Sequence, residues 1–221
     1  MIQLYRKEEL KNQRKKVKFM YEIREKKTDI WFAIVVWILE MVALFGIRYC
    51  VEHEISQKVG LITIAYVSCV VFALIKEKNL TILGFTTEKI RRNAPIAVGI
   101  IITTILIRMV ISKISFELLL SQAFHMLIMT ALREEIMFRG IIQNYLIVSS
   151  KKKIVFFAIG GLLFAVSHIP LYSLNQPGIS LWLQLLFAFV SHFIFVSIAY
   201  WRKDITISVG LHFLIDFLLS A

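Results

Sequence analysis

Three short segments of the chain place ionisable side chains among apolar residues, at spacings that suit proton transfer. The first segment spans residues 130–140, and the other two each carry a histidine four residues from an aromatic or acidic partner. The side chains concerned are Arg133, Glu134, Glu135, Arg139, Phe164, His168, His212 and Asp216. Carboxylates and imidazoles placed together can activate water as general acids and bases. The residue types therefore indicate a shared functional site, provided that the three segments meet in the fold.

The first segment separates the roles of two adjacent carboxylates. On a helix, residues four apart share a face, whereas neighbours diverge by about 100°. Glu135 can therefore pair with Arg139, one turn later, and we expect this pair to support the structure. Glu134 points elsewhere and has no basic residue three or four positions after it. This leaves Glu134 for chemistry or for a partner on another helix.

Each segment also has a purely structural interpretation. A histidine inside a membrane helix often bonds only to a neighbouring helix, and a Glu–Arg pair can serve packing alone. Ionisable groups in a membrane span are costly, however, so three such segments in one short chain favour a shared site. A catalytic zinc needs three protein ligands. Of Glu134, His168, His212 and Asp216, the first would be needed as a base and the last would orient His212, so too few ligands remain. We therefore expect no metal and no cofactor. The segment that starts at His53 and Glu54 does not match the zinc-protease motif H-E-x-x-H, because Gln57 takes the place of the second histidine.

The composition identifies the surroundings of these segments. Of the 221 residues, 58% are hydrophobic and 19% are charged, against roughly 45–50% and 25% in ordinary globular domains. This excludes a disordered tail and a basic nucleic-acid-binding domain. The net charge of +11 comes largely from basic stretches that flank long apolar runs. The composition predicts an all-α, polytopic transmembrane helix bundle, with the lipid bilayer around it and no nucleic-acid partner.

Seven apolar segments are candidates for membrane-spanning helices. They are residues 30–47, 59–75, 95–111, 116–148, 154–169, 179–200 and 205–219. The fourth is too long for one upright span and barely long enough for two, and we expect one long tilted helix because no proline breaks it. With seven spans, every connection rich in lysine and arginine falls on the side of the N-terminus. The positive-inside rule therefore favours seven spans over the alternative of eight, with the N-terminus in the cytoplasm.

The predicted organisation is a basic arm followed by one membrane domain. Residues 1–29 hold 10 basic and 5 acidic residues, and residues 30–221 form the helical domain. Between the second and third spans, apolar and polar residues alternate over 80–90. This connection is predicted to be either an amphipathic helix on the inner membrane surface or a solvated loop. Glu40, in the middle of the first span, has no obvious partner.

Taken together, the three segments resemble the signature of the CAAX-protease and bacteriocin-processing family, also called the Abi family of intramembrane glutamate endopeptidases. The family pattern is E-E-x-x-x-R, then F-x-x-x-H, then H-x-x-x-N or D. The chain matches this pattern in order, within about residues 116–220. Asp216 stands where asparagine is more usual. Residues 1–115 resemble the family only in being hydrophobic spans.

The resemblance implies a role for each residue of the pattern. Glu134 and His168 would activate the water that attacks the peptide bond, and His212 and Asp216 would stabilise the oxyanion. An ionised carboxylate cannot donate a hydrogen bond, so Asp216 must either be protonated or orient His212. Phe164 would support the site, together with the Glu–Arg pair.

The resemblance also implies the class of substrate, a peptide or small membrane-associated protein. Eukaryotic members of the family cut prenylated C-terminal tails, and bacterial members are linked to the processing of peptide bacteriocins and pheromones or to self-immunity. The short chain resembles the bacterial kind, which implies a bacterial cell membrane. The alternative is a non-catalytic membrane scaffold or regulator with the same fold, which would be free to lose Glu134, His168 and His212. A proton-coupled transporter would more naturally show repeats or broken helices in both halves, and the sequence shows no evident sign of either.

Overall fold

The computed structural model describes residues 30–53, 58–147, 153–170 and 180–220, which are largely helical and contain no β-strand. In chain order, the helices of these ranges are α1 (Ile30–Glu52), α2 (Lys58–Glu77), α3 (Thr87–Ile111), α4 (116–146), α5 (Lys153–Ser167), α6 (Leu181–Arg202) and α7 (Thr206–Leu219). The predicted all-α class is confirmed. The predicted basic arm, residues 1–29, lies outside the described residues.

The surface of the bundle suits a lipid environment. Within the described ranges, three stretches are long and apolar enough to cross a membrane, namely Ile30–Cys50, Leu80–Ile111 and Leu181–Arg202, and α5 and α7 are apolar but shorter. Large apolar side chains face outwards along the helices, for example Val110 at 81% exposure and Phe124 at 69%. Extensive exposed apolar surface is typical of proteins that sit in a membrane. The predicted membrane setting is therefore supported, and the count of seven spans stays a prediction.

Helix α4 is continuous but has two backbone geometries. Its successive parts are an α-helix at Phe116–His125, π-helical segments at Met126–Leu132 and Glu135–Ile142, and an α-helical end at Gln143–Leu146. The chain therefore runs through this region as one helix. π-Helical turns are uncommon and are frequently found at functional sites. Glu134 lies between the two π-helical segments.

The connection between α2 and α3 begins with a short turn that contacts α4. Leu80–Leu83 forms a short 3₁₀ turn, in which Ile82 is buried. The side-chain amide of Asn144 in α4 donates to the Ile82 carbonyl oxygen at 3.2 Å. A Cβ atom on Gly140 would lie only 2.5 Å from the Leu83 carbonyl oxygen. The turn thus packs on α4, because a glycine lets the two backbones approach, and the two predicted settings of the connection, the membrane surface and solvent, stay predictions.

Helix α4 lies at the centre of the bundle. Around it α1 packs on α2, α3 on α7, and α5 on α6, and α4 contacts all six of these helices. Every residue of Glu135–Ile142 is buried. The charged side chains of α4 therefore face other helices instead of lipid, where they would be costly.

Candidate active site

The carboxylate of Glu134 faces two histidine rings that come from different helices. Its Oε2 atom lies 3.6 Å from Nε2 of His212 in α7 and 3.8 Å from Nε2 of His168, directly after α5. Glu134 is 8% exposed and His212 is 4% exposed. Asp216, one turn after His212, reaches the same ring. The fold therefore brings the four predicted catalytic residues together in one site.

The ring of His212 lies among three carboxylates. Its Nδ1 atom is 2.9 Å from Oε1 of Glu135, and its Nε2 atom is 3.2 Å from Oδ2 of Asp216. Since carboxylates accept hydrogen bonds, this arrangement suits a ring that carries a proton on both nitrogens. The ring also stacks on Phe195, with centroids 5.1 Å apart. His212 is thus held as a hydrogen-bond donor that points at the Glu134 side of the site.

His168 is held in the opposite manner. Its Nδ1–H donates to the backbone carbonyl of Phe164 at 2.8 Å, and this bond places the lone pair of the neutral ring on Nε2. The ring packs edge-on against the Phe164 ring, with centroids 4.6 Å apart. Because α5 ends at Ser167, the histidine lies at the helix terminus and its side chain keeps 15% of its surface exposed. His168 therefore offers an acceptor atom next to the Glu134 carboxylate.

The sequence assigned no role at the site to two charged residues, Arg133 and Glu40. Arg133 donates through Nη2 to Oε1 of Glu134 at 3.0 Å and through Nη1 to Oε1 of Glu40 in α1. Its Nε–H donates to the Met129 carbonyl oxygen at 2.9 Å, which fixes the guanidinium. Glu134 therefore does have a basic neighbour, the residue directly before it, and Glu40 has its partner on α4. Arg133 holds one oxygen of Glu134 and leaves the other, Oε2, towards the histidines.

The predicted supporting residues form a layer beneath the site. Glu135 and Arg139 are both fully buried, and Nη1 of Arg139 lies 3.1 Å from Oε1 of Glu135. The guanidinium of Arg139 lies over the Phe164 ring, 4.2 Å from its centroid. Phe164 also meets Phe138 edge-to-face at 4.9 Å between centroids. Glu135 contacts His212 as well as Arg139, so its carboxylate links the ion pair to the candidate chemistry.

Comparison with known proteins identifies the region that carries this site. Residues 116–218 match the family model described as Rce1-like type II CAAX prenyl endopeptidase. These residues are therefore similar to the Rce1-like family. This Rce1-like region begins at the first residue of α4 and ends within α7, so it includes Glu134, His168, His212 and Asp216. The family resemblance seen in the three motifs is confirmed, and it supports a membrane endopeptidase. No curated protein and no solved structure was found to match the chain.

The polar atoms of the Rce1-like site suit proton transfer to and from water. One oxygen of Glu134, the Nε2 lone pair of His168 and the Nε2–H of His212 meet at one place. Within the described ranges, no group of three or more histidine, cysteine, aspartate or glutamate side chains is placed to hold a metal ion. The predicted absence of a metal stays a prediction, for which treatment with a chelator is the test.

Proposed function

We propose that the chain is an intramembrane endopeptidase in which a glutamate activates the attacking water. One observation carries the proposal: Oε2 of Glu134 lies 3.8 Å from Nε2 of His168 and 3.6 Å from Nε2 of His212. These separations exceed those of direct hydrogen bonds, but a single water molecule can bond to groups at such distances. The water would then lie between a carboxylate base and two imidazole rings.

In the proposed reaction, Glu134 is the general base. It takes a proton from the water while the water oxygen bonds to the carbonyl carbon of the scissile peptide. Negative charge develops on the carbonyl oxygen, and the Nε2–H of His212 stabilises it by donating a hydrogen bond. The carbon–nitrogen bond then breaks, and the proton held by Glu134 passes to the departing amine. The products are a carboxylic acid and an amine.

His168 and Asp216 take positioning and electrostatic roles in this proposal. The Nε2 lone pair of His168 accepts a hydrogen bond from the water. With its two protons directed at Glu134 and His168, the water turns a lone pair of its oxygen towards the substrate. Asp216 lies 3.2 Å from Nε2 of His212, where an ionised carboxylate can only accept. Of the two roles open to Asp216, this geometry favours orientation of the His212 ring over direct donation to the oxyanion.

The proposed substrate is a peptide or a small membrane-associated protein. Side-chain exposure rises from 10% at Glu134 to 15% at His168 and 29% at Asp216. We therefore expect a substrate to enter the site from the side of Asp216. The family name points to prenylated tails that end in a CAAX sequence. Processing of a bacterial peptide such as a bacteriocin or pheromone, or self-immunity to it, is the physiological role that we propose.

The decisive experiment replaces Glu134 by glutamine in the full chain. Glutamine preserves size but is not a base, so Glu134→Gln is expected to abolish cleavage. The matched control is Glu117→Gln, which changes an exposed carboxylate on the same helix. Purified wild-type and variant proteins are incubated with a farnesylated CAAX peptide, its unprenylated counterpart and a membrane-peptide extract, and the products are identified by mass spectrometry.

The same experiment tests the scaffold alternative. The endopeptidase proposal is supported if wild-type protein produces cleaved peptides and Glu134→Gln does not, while the variant accumulates normally in the membrane. If the chain's cellular phenotype persists fully in Glu134→Gln and wild-type protein cleaves nothing, a non-catalytic scaffold or regulator is the better description. Preference for the farnesylated peptide would further indicate that the prenyl group is recognised.

A further inference from the structure

A basic cavity lies at the edge of the bundle, between the beginning of α3 and the end of α6. Its volume is about 260 Å³, and it is lined by Lys89, Arg92, Asn93, Trp201, Arg202 and Lys203. We propose that this cavity binds the phosphate-bearing headgroup of an anionic phospholipid. The catalytic proposal makes no use of these residues, so the inference does not depend on it.

The charges of the cavity favour an anion. Four of the six lining side chains are cationic. The carboxylate closest in sequence, Glu88, pairs with Lys89 at 3.2 Å, and the Glu88 side chain is 72% exposed. Clusters of lysine and arginine between membrane helices, at the level of the headgroups, are a common basis for the recognition of anionic lipids.

Asn93 makes the cavity a preformed site rather than a group of mobile surface cations. Its Oδ1 atom accepts from Nε and Nη2 of Arg202, at 3.1 and 2.7 Å, which holds the guanidinium in place. Asn93 is only 1% exposed, and among the described residues its Nδ2 atom has no hydrogen-bond partner. A buried amide donor without a partner costs free energy, which an oxygen acceptor on a ligand would recover. A phosphate group supplies such oxygens.

Tryptophans place the cavity at the level of lipid headgroups. Trp182 and Trp201 lie near opposite ends of α6 and are 79% and 77% exposed. Nineteen residues of α-helix separate them by about 28 Å, close to the roughly 30 Å thickness of a bilayer's hydrocarbon core. Exposed tryptophans at such a spacing are typical of the two membrane–water interfaces. Since Trp201 lines the cavity, the four cations lie where phosphates of one leaflet are found.

Next to the cavity, the segments that lead into α3 and α7 are joined by hydrogen bonds. The Asp204 carboxylate accepts from the backbone N–H of Thr86 at 3.2 Å and from that of Thr206 at 2.8 Å. The Ile205 N–H donates to the Gly84 carbonyl oxygen at 3.1 Å. Asp204 is fully buried, and each of its two carboxylate oxygens accepts one of these hydrogen bonds.

The test compares two double variants that lose the same charge. Arg92→Gln with Lys203→Asn removes two cations from the cavity, and both side chains are exposed. Arg91→Gln with Lys78→Asn is the matched control, because neither residue lines the cavity and Lys78 and Lys203 share the left-handed backbone conformation, with φ of 51° and 58°. Asparagine tolerates this conformation well, so both variants should fold.

Native mass spectrometry of the full chain in detergent, with equal amounts of phosphatidylglycerol and phosphatidylcholine, measures retained lipid. Wild-type protein and the control variant should retain phosphatidylglycerol preferentially. The cavity variant should lose roughly ten- to thirty-fold of that retention, from about 1 kcal/mol per basic residue near the membrane surface. Equal loss from both variants would mean general charge attraction and overturn the proposal. Displacement of the lipid by excess sodium phosphate would also overturn it, because the cavity would then hold free phosphate.

Discussion

Glu135 allows the structural role of a buried carboxylate to be separated from catalysis. Its Oε1 atom lies 2.9 Å from Nδ1 of His212 and 3.1 Å from Nη1 of Arg139. The other oxygen, Oε2, is buried and has no hydrogen-bond partner in the part of the chain that the structure describes. In Glu135→Gln, the remaining oxygen can keep the hydrogen bond with His212 and the contact with Arg139, while the amide nitrogen takes the place of Oε2. The substitution therefore removes charge and changes little of the shape.

The expected loss of stability follows from the burial of the pair. Both Glu135 and Arg139 are fully buried, so the guanidinium loses its compensating charge without access to water. Removing one partner of a buried ion pair costs about 3–5 kcal/mol. In a chain of this size each kcal/mol shifts Tm by about 2–4 °C, which gives an expected fall of about 6–20 °C. Thermal unfolding of the full chain in detergent measures it.

Glu134 supplies the matched control, one position earlier on the same helix. In Glu134→Gln, the neighbouring Arg133 keeps its ion pair with Glu40, so no buried cation loses every carboxylate. We expect Glu134→Gln to lose cleavage while its Tm falls far less than that of Glu135→Gln. Adding Arg139→Met to Glu135→Gln removes the stranded charge and should recover at least half of the lost Tm.

Two results would refute this reasoning. If Glu135→Gln unfolds at the wild-type temperature but is inactive, the Glu135 carboxylate acts in the chemistry through His212 and not mainly in stability. If Glu134→Gln and Glu135→Gln lose the same Tm, the two adjacent carboxylates do not divide their roles as their contacts indicate.

Three further changes have expected outcomes that simple assays can check. Glu40→Gln leaves Arg133 with one carboxylate instead of two, so both Tm and cleavage should fall, with a stability loss below the roughly 3–5 kcal/mol of a fully broken buried pair; wild-type values of both would contradict this. Gly140→Ala should cost about 1–3 kcal/mol, because its Cβ would lie 2.5 Å from the Leu83 carbonyl oxygen, whereas Gly99→Ala, with no atom within 4 Å, should be neutral or stabilising. Cleavage by purified protein should survive a strong chelator, and inactivation that zinc alone reverses would replace glutamate activation with a metal mechanism.

Most helices of the described ranges could be predicted closely from apolar runs, because a span needs a long stretch of residues without costly charges. Helix α3 is the exception, since it begins at Thr87, eight residues before the predicted segment 95–111. The single helix α4 follows from the absence of proline between 116 and 146, and the position of His168 at a helix end agrees with Pro170 two residues later. The π-helical segments could not be predicted, since no residue type signals them. The packed turn Leu80–Leu83 was missed for a similar reason: its burial depends on Gly140, 57 residues after Leu83.

The Arg133–Glu40 pair marks the limit of reasoning within single helices. Neither residue has an oppositely charged partner three or four positions away, and the two lie 93 residues apart in the sequence. Neighbour rules for a helix surface therefore leave both without an explanation. A different rule points to the pair: a charge within a membrane bundle needs an opposite charge close by, so one unmatched acid and one unmatched base on two spans should meet. Because Glu40 lies outside residues 116–218 and Arg133 lies within them, this pair ties α1 to the Rce1-like site, and α1 belongs with the working unit in any dissection of the chain.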